Sequence, residues 1–349
     1  LHIMSGKNLN YIGHNQWNGL NFQNFYEKVI NGNYDKVILF SQNEWAHHHH
    51  NPEYFPLLQE HMKRIGKPLH IITSAHKHLY PVELENTQVH WYDTYWMCKT
   101  YGQLLHVSKG NKISIDPYET VDYKYHYLSM NHRPHLHRCL LIDLLAKHDL
   151  MKYGAISLHN APVPELYQWK YFDYKPLILD QQYSTEKNYN LVPDQYYESF
   201  VQLISEASGD TIMMSEKTAI PLLLGKPFLV ASQMHFHKFL KGLGFELYDE
   251  IFDYSFDDEP NEEKRYEMLL ENFKRLCQIP LNELTQLQQR IANKVLFNKK
   301  HAKSLVFDTT TCPELAMEVI NYYKDTGTII DKHLIDDYEN CIMYKDHEI

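Results

Sequence analysis

Residues 199–232 read SFVQLISEASGDTIMMSEKTAIPLLLGKPFLVAS, and their punctuation decides the fold. The apolar run 200–204 has the length and composition of a buried strand, and it ends in Ser205-Glu206. Gly209-Asp210 is a turn signal, after which 211–214 is a second short apolar run that predicts a strand. Ser215-Glu216-Lys217-Thr218 then leads into 219–224, compact and apolar, with room for two helical turns. Gly225-Lys226-Pro227 ends that helix, and 228–230 predicts a third strand. Strand, polar tip, helix and strand in this rhythm predict a parallel α/β sheet. Ligands of such sheets bind at the carboxyl ends of the strands, where Glu206, Ser215, Glu216 and Lys217 fall.

Adjacent Glu and Lys on a helix are commonly no more than a solvated pair. Between a strand and a short apolar helix they occupy a helix N-terminus, where exposed N–H groups and the helix dipole favour an anion. A lysine there holds a phosphate as a point charge.

The same residues resemble the donor-binding region of GT-B glycosyltransferases, most closely the alpha-1,3-fucosyltransferase-like group. That group has a strand ending in Glu-Asn, a spacer, Thr-Glu-Lys, a short helix, a glycine and a further strand. Glu206, Ser215, Glu216, Lys217, Gly225 and the run 227–230 match it, with Ala207 in place of the Asn and Ser215 in place of the Thr. The resemblance implies an α/β fold of GT-B type, two Rossmann-like domains facing a cleft. It also implies transfer of a sugar from a nucleotide-diphosphate donor, GDP-fucose in that group, to a hydroxyl of a glycan or other acceptor. Such transfer is inverting and requires no metal or other cofactor. A retaining enzyme of the same fold, and an inactive nucleotide-sugar-binding module, are the alternatives.

Outward from the centre, the expected layout is an acceptor-side domain over 1–118, a donor domain over 119–300 and a helical segment over 301–349 returning to the first domain. In the first domain, strands are predicted at 37–40, 69–73 and 89–92, with helical patterns at 56–64 and 93–107. Inversion needs a carboxylate to deprotonate the acceptor hydroxyl. Glu44, just past the strand 37–40, is the first candidate; Asp93, after another strand, competes with it, and His47 is a third. A carboxylate in such a place is also a common helix cap. The tract His47 to His50 reads as a solvated loop.

In the second domain a strand at 123–130 delivers Asn131-His132-Arg133-Pro134-His135-Leu136-His137-Arg138, followed by a helix over 139–148. A positive residue at a helix start opposes the dipole unless it meets an anion, so Arg133 or Arg138 is assigned to the diphosphate. The donor-binding set is therefore Asn131, Arg133, Arg138, Glu206, Ser215, Glu216, Lys217 and Thr218, with Glu206 or Glu216 as acceptors for ribose hydroxyls. Asp257-Asp258-Glu259 has the look of a metal cluster, but Pro260 and the charged run after it mark a helix entry, and no metal is expected.

Composition bounds the remaining classes. A chain of 349 residues with 44% hydrophobic residues has material for two cores. A formal charge of -10 argues against a general nucleic-acid surface. The 27 Tyr and 5 Trp suit sugar or base stacking as well as a core. The five cysteines, Cys98, Cys139, Cys277, Cys312 and Cys341, have no metal spacing and fit a reducing, cytoplasmic setting. No stretch has the length of a transmembrane helix, although a lumenal enzyme trimmed of its anchor would look the same. Residues 313–323 form either the returning helix or a homodimer face.

Overall fold

A computed structural model of the chain describes residues 9–13, 23, 26–27, 29–32, 36–41, 53–74, 85–108, 113–159, 163–179, 192–207 and 212–307. Glu44, the His47 to His50 tract and 313–323 lie outside these residues. The chain is mixed α/β and divides into two compact units, each built on a parallel sheet. One unit takes the described residues up to Gly102 together with 305–307; the other is Gln103–Ser304.

In the first unit the strands β1 (Leu9–Gly13), β2 (Lys36–Ser41), β3 (Leu69–Thr73) and β4 (Thr87–Trp91) lie side by side in chain order, all parallel. Helix α1 (Tyr54–Arg64) follows β2 in the chain and presents Phe55, Leu58 and Met62 at helical spacing. These side chains join Val29, Val37, Leu69 and Ile71 in one core. β3 is buried along its whole length, whereas β4 at the sheet edge is mostly half-buried. Helix α2 (Tyr95–Ser108) follows β4.

The second unit contains β5 (Tyr125–Asn131), α3 (Leu136–Lys147), β6 (Gly154–Leu158), α4 (Asp194–Glu198), β7 (Ser199–Ser205), α5 (Glu216–Leu224), β8 (Phe228–Ala231), α6 (Phe236–Gly242), α7 (Glu262–Leu276) and α8 (Leu284–Phe307). The sheet order is β6-β5-β7-β8, again parallel. Every residue of β7 and β8 is buried, as expected of parallel strands covered on both faces. The chain steps from β5 to β6 on one side, then returns to place β7 on the other side of β5 and continues outward to β8. The direction of winding therefore reverses between β5 and β7, which makes a topological switch point there. The described strands of the first unit, taken in chain order, contain no such reversal.

Two local expectations differ from the structure. Of the run 211–214, the described residues 212–214 are not a strand. β7, which precedes this run, pairs with β5 and β8 instead. Met213 and Met214 are nonetheless buried, as apolar packing beneath the loop. The helix expected from residue 139 begins at Leu136, after His135 in extended conformation. Pro134 restricts only the residue before it, so nothing holds 136–138 out of the helix.

The aromatic segment 163–179 is attached to α3 by one buried carboxylate. Asp143 accepts from the backbone N–H groups of Lys170, Tyr171 and Phe172 at 2.8–3.0 Å and from the Tyr167 hydroxyl at 3.3 Å. Leu177 also pairs with Leu158 at the edge of β6. Both contacts wrap this segment around the unit. In α8, Asn298 clamps the backbone of Glu246 through both its amide groups at 2.8 Å, and Gln288 donates to the carbonyl of Pro117 at 2.8 Å. Cys139 and Cys277 are buried in this unit.

Candidate functional site

The carboxyl ends of β5 and β7 flank the switch point, and the loops leaving them carry most of the polar residues singled out in the sequence. Asn131 is the last residue of β5 and is buried. Its side-chain N–H donates to Ser129 Oγ at 3.1 Å, while its buried Oδ1 has no hydrogen-bond partner among the described residues. His132, Arg133, Pro134 and His135 form the loop into α3, and His137 and Arg138 lie in the first helical turn. Glu206 directly follows β7, and Ser215 is the N-cap of α5.

The two arginines differ. Arg133 is exposed and makes no ion pair among the described residues. Arg138 is buried and donates to the carbonyl of Arg133 at 3.2 Å and to the carbonyl of Glu206 at 3.1 Å, so it bridges the ends of β5 and β7. His137 Nε2 reaches the same Glu206 carbonyl at 2.9 Å.

Glu206 is 1% exposed, and its carboxylate is fully engaged by the protein. Oε1 accepts from Ser215 N at 3.1 Å and from Thr218 Oγ1 at 2.5 Å. Oε2 accepts from Ala207 N at 2.8 Å and from Ser215 Oγ. Thr218 is likewise buried in this network. The Ser215 hydroxyl in turn accepts from Lys217 N at 3.3 Å, the usual N-cap bond. One N–H at the start of α5 is thus capped from within, and the cationic side chains become the stronger attraction for an anion.

Lys217 and Glu216 remain partly accessible, with side chains 20% and 21% exposed, and pair at 2.6 Å. Burial pushes the Glu216 carboxyl up, but the Lys217 ammonium, a bond from its own backbone N–H and the Arg138 charge more than offset this and hold it below the usual carboxylate range.

The histidines report how closely the cations gather. Burial, then His159, Arg133, Arg138 and Lys217, lower the pKa of His132. Partial burial, then Arg138, Arg133 and Lys217, bring His135 down to about 4. Burial and Arg138 bring His137 down to about 3. His132 packs against His159 with ring centres 5.0 Å apart, and His135 stacks on His137 at 5.9 Å. These rings are therefore neutral near pH 7. The local positive charge is carried by Arg133, Arg138 and Lys217, which outnumber the carboxylates of Glu206 and Glu216. Chemically the arrangement can accept an anion with several oxygens, offering guanidinium, ammonium and neutral imidazole donors.

The other sequence candidates lie on other elements. Asp93 lies in the turn between β4 and α2, half-buried. Asp257, Asp258 and Glu259 form no metal cluster among the described residues. Asp257 is buried and accepts from the backbone of His237 and Lys238 at 3.1 and 3.0 Å and pairs with the His237 ring at 3.0 Å, capping α6. Asp258 and Glu259 pair with Lys238 and Lys264. An open groove of about 890 Å³ is lined by Phe245, Phe252, Tyr254, Arg275 and Lys294 among others, none of them in the strand-end loops.

Sequence reasoning did not single out His132, His135, His137 and His159 as parts of the site. The available signal was three histidines interleaved with two arginines in one loop at a strand end. Comparison with family models, with curated proteins and with solved structures finds no match to this chain. Among the described residues, no helix is long and apolar enough to cross a membrane.

Proposed function

We propose that the second unit binds the diphosphate of a nucleotide sugar at the switch point between β5 and β7, and that the protein is a glycosyltransferase of GT-B type. The observation that carries this is the placement of Arg133, Arg138 and Lys217 in the loop and the two helix starts at the carboxyl ends of these two strands, which Arg138 bridges. Departure of a diphosphate leaves negative charge on its oxygens, and fixed cations in a partly dry crevice stabilise that charge. Arg133 and Lys217 reach the phosphates, Arg138 fixes the loop between them, and Glu216 is the carboxylate accessible to a ribose hydroxyl. The acceptor is a hydroxyl compound, deprotonated by Glu44 or Asp93, and the donor is GDP-fucose or another nucleotide-diphosphate sugar.

A thermal-shift series with GDP, UDP and their sugar conjugates tests this, since a ligand that binds the native state must raise its apparent stability. Lys217→Ala should weaken the bound nucleotide by the loss of a charge-assisted contact, about 1.5–3 kcal/mol. A folded Lys217→Ala protein with unchanged affinity would remove the assignment. In a transfer assay, Glu44→Gln should keep nucleotide binding and lose about 10²–10⁴-fold in rate. If Glu44→Gln transfers normally and Asp93→Asn shows that loss, the base is Asp93. Nucleotide-sugar binding with neither transfer nor donor hydrolysis would identify a binding module instead.

A further inference from the structure

Glu206 is a buried carboxylate bonded to the helix start that carries Lys217, so it competes with a ligand anion for the same positive surroundings. Its surroundings account for its presence. The carboxylate takes four donors from three residues: Ala207 just after β7, the N-cap Ser215, and Thr218 in the first turn of α5. Its carbonyl takes two more, from His137 and Arg138 in the first turn of α3. One residue therefore ties the end of β7 to both helix starts that face the switch point.

We infer that Glu206 is a positioning residue of the phosphate site, which fixes the start of α5, and with it Lys217, relative to the loop held by Arg138, and makes no contact with the ligand. This rests on the diphosphate proposal above. Charge-assisted bonds to a buried carboxylate are short and strong, so the elements they join are held closely. A glutamine has the same shape but replaces one acceptor by a donor. Whichever oxygen becomes the amide nitrogen, it then faces one hydroxyl and one backbone N–H. The hydroxyl of Ser215 or Thr218 can rotate to accept, but the N–H of Ala207 or Ser215 cannot. Glu206→Gln thus forces a donor against a donor and opens the junction between β7 and α5.

The direction of the effect separates positioning from charge. Removing a negative charge beside an anion site should by Coulomb attraction alone tighten binding. Loss of positioning should weaken it. The experiment is calorimetric titration of the full chain with inorganic pyrophosphate, under conditions where circular dichroism shows each variant folded. Glu206→Gln should bind at least about tenfold more weakly than wild type, the loss expected when a charge-assisted contact is misplaced. Combined with Lys217→Ala it should lose less than the product of the two single effects, because Glu206 acts partly through Lys217. Equal or tighter binding by folded Glu206→Gln would overturn the inference and leave the diphosphate site standing. A wild-type chain that does not bind pyrophosphate would end both. If Glu206→Gln does not fold, Thr218→Val removes one donor and keeps the carboxylate. Several-fold weaker binding is then expected, and unchanged affinity overturns the inference.

Discussion

His137 shows how much a single side chain can be committed to the site. It is 7% exposed, it donates to the carbonyl of Glu206, and burial beside Arg138 holds its pKa at about 3. An unfolded histidine titrates near 6.5. Because the folded-state pKa is the lower one, the unfolded chain binds the extra proton first as pH falls. Stability is therefore full above about pH 6.5 and is lost as pH falls from there towards 3, at about 1.4 kcal/mol per pH unit for this one group. His137→Gln retains an N–H donor and removes the titration. Urea unfolding of the two proteins between pH 7 and pH 4 should show a shallower acid loss for His137→Gln, and superimposable slopes would contradict the assignment. At this scale the sequence indicates which residues meet but not what they do on meeting. Glu206, Ser215 and Lys217 were legible as strand-end and helix-start residues. Whether the Glu206 carboxylate faces a ligand or the protein depends on donors from Ala207, Ser215 and Thr218, whose directions are set only when β7 and α5 pack.

Helix α5 joins two departures from simple propensity. Pro221 lies inside it and cannot donate to the carbonyl of Lys217, yet the helix continues to Leu224, every residue from Thr218 onward being buried. Tertiary burial outweighs the lost bond. Gly225 then ends the helix in left-handed conformation, φ 79°, with its N–H bonded to the Pro221 carbonyl. An added Cβ would stand 3.1 Å from the carbonyl oxygen of Ile115, while left-handed backbone costs a residue other than glycine about 1–2 kcal/mol. Gly225→Ala should lower the melting temperature by about 2–4 °C for each kcal/mol lost in a unit of this size, and a melting curve identical to wild type would refute the strain. The strands and helices around α5 were legible because each follows from its own apolar run and the turn residues beside it. The residues 212–214 were not, because an apolar run signals burial as well as a strand, and Met213 and Met214 meet that burial by packing in the segment that leads into α5. The start of α3 was placed three residues late because Pro134 acts on the residue before it and not on those after.

At the scale of the molecule, the two sheets differ in winding rather than in kind. The reversal that creates a crevice occurs in the second unit, and the cations collect there; the described strands of the first unit run in simple order. The presence of two parallel sheets could be inferred from the alternation of runs. The switch point could not, because it is set by which edge of β5 receives β7, and that choice has no local signature. The placement of cysteines within the units has a practical outcome. Burial raises the thiols of Cys139 and Cys277 to about 12, so at pH 8 almost none is thiolate, the form that alkylates. Cys98 belongs to the first unit and is half-buried, its thiol bonded to the Val306 carbonyl at 3.3 Å. Iodoacetamide uptake at Cys139 and Cys277, resolved peptide by peptide, therefore times the opening of the second unit without any engineered label. A nucleotide diphosphate at about a hundred times its Kd should suppress that opening by about the same factor. Slowed alkylation at these two cysteines, with an unchanged rate at Cys98, would assign the ligand to the second unit; equal slowing at all three would not.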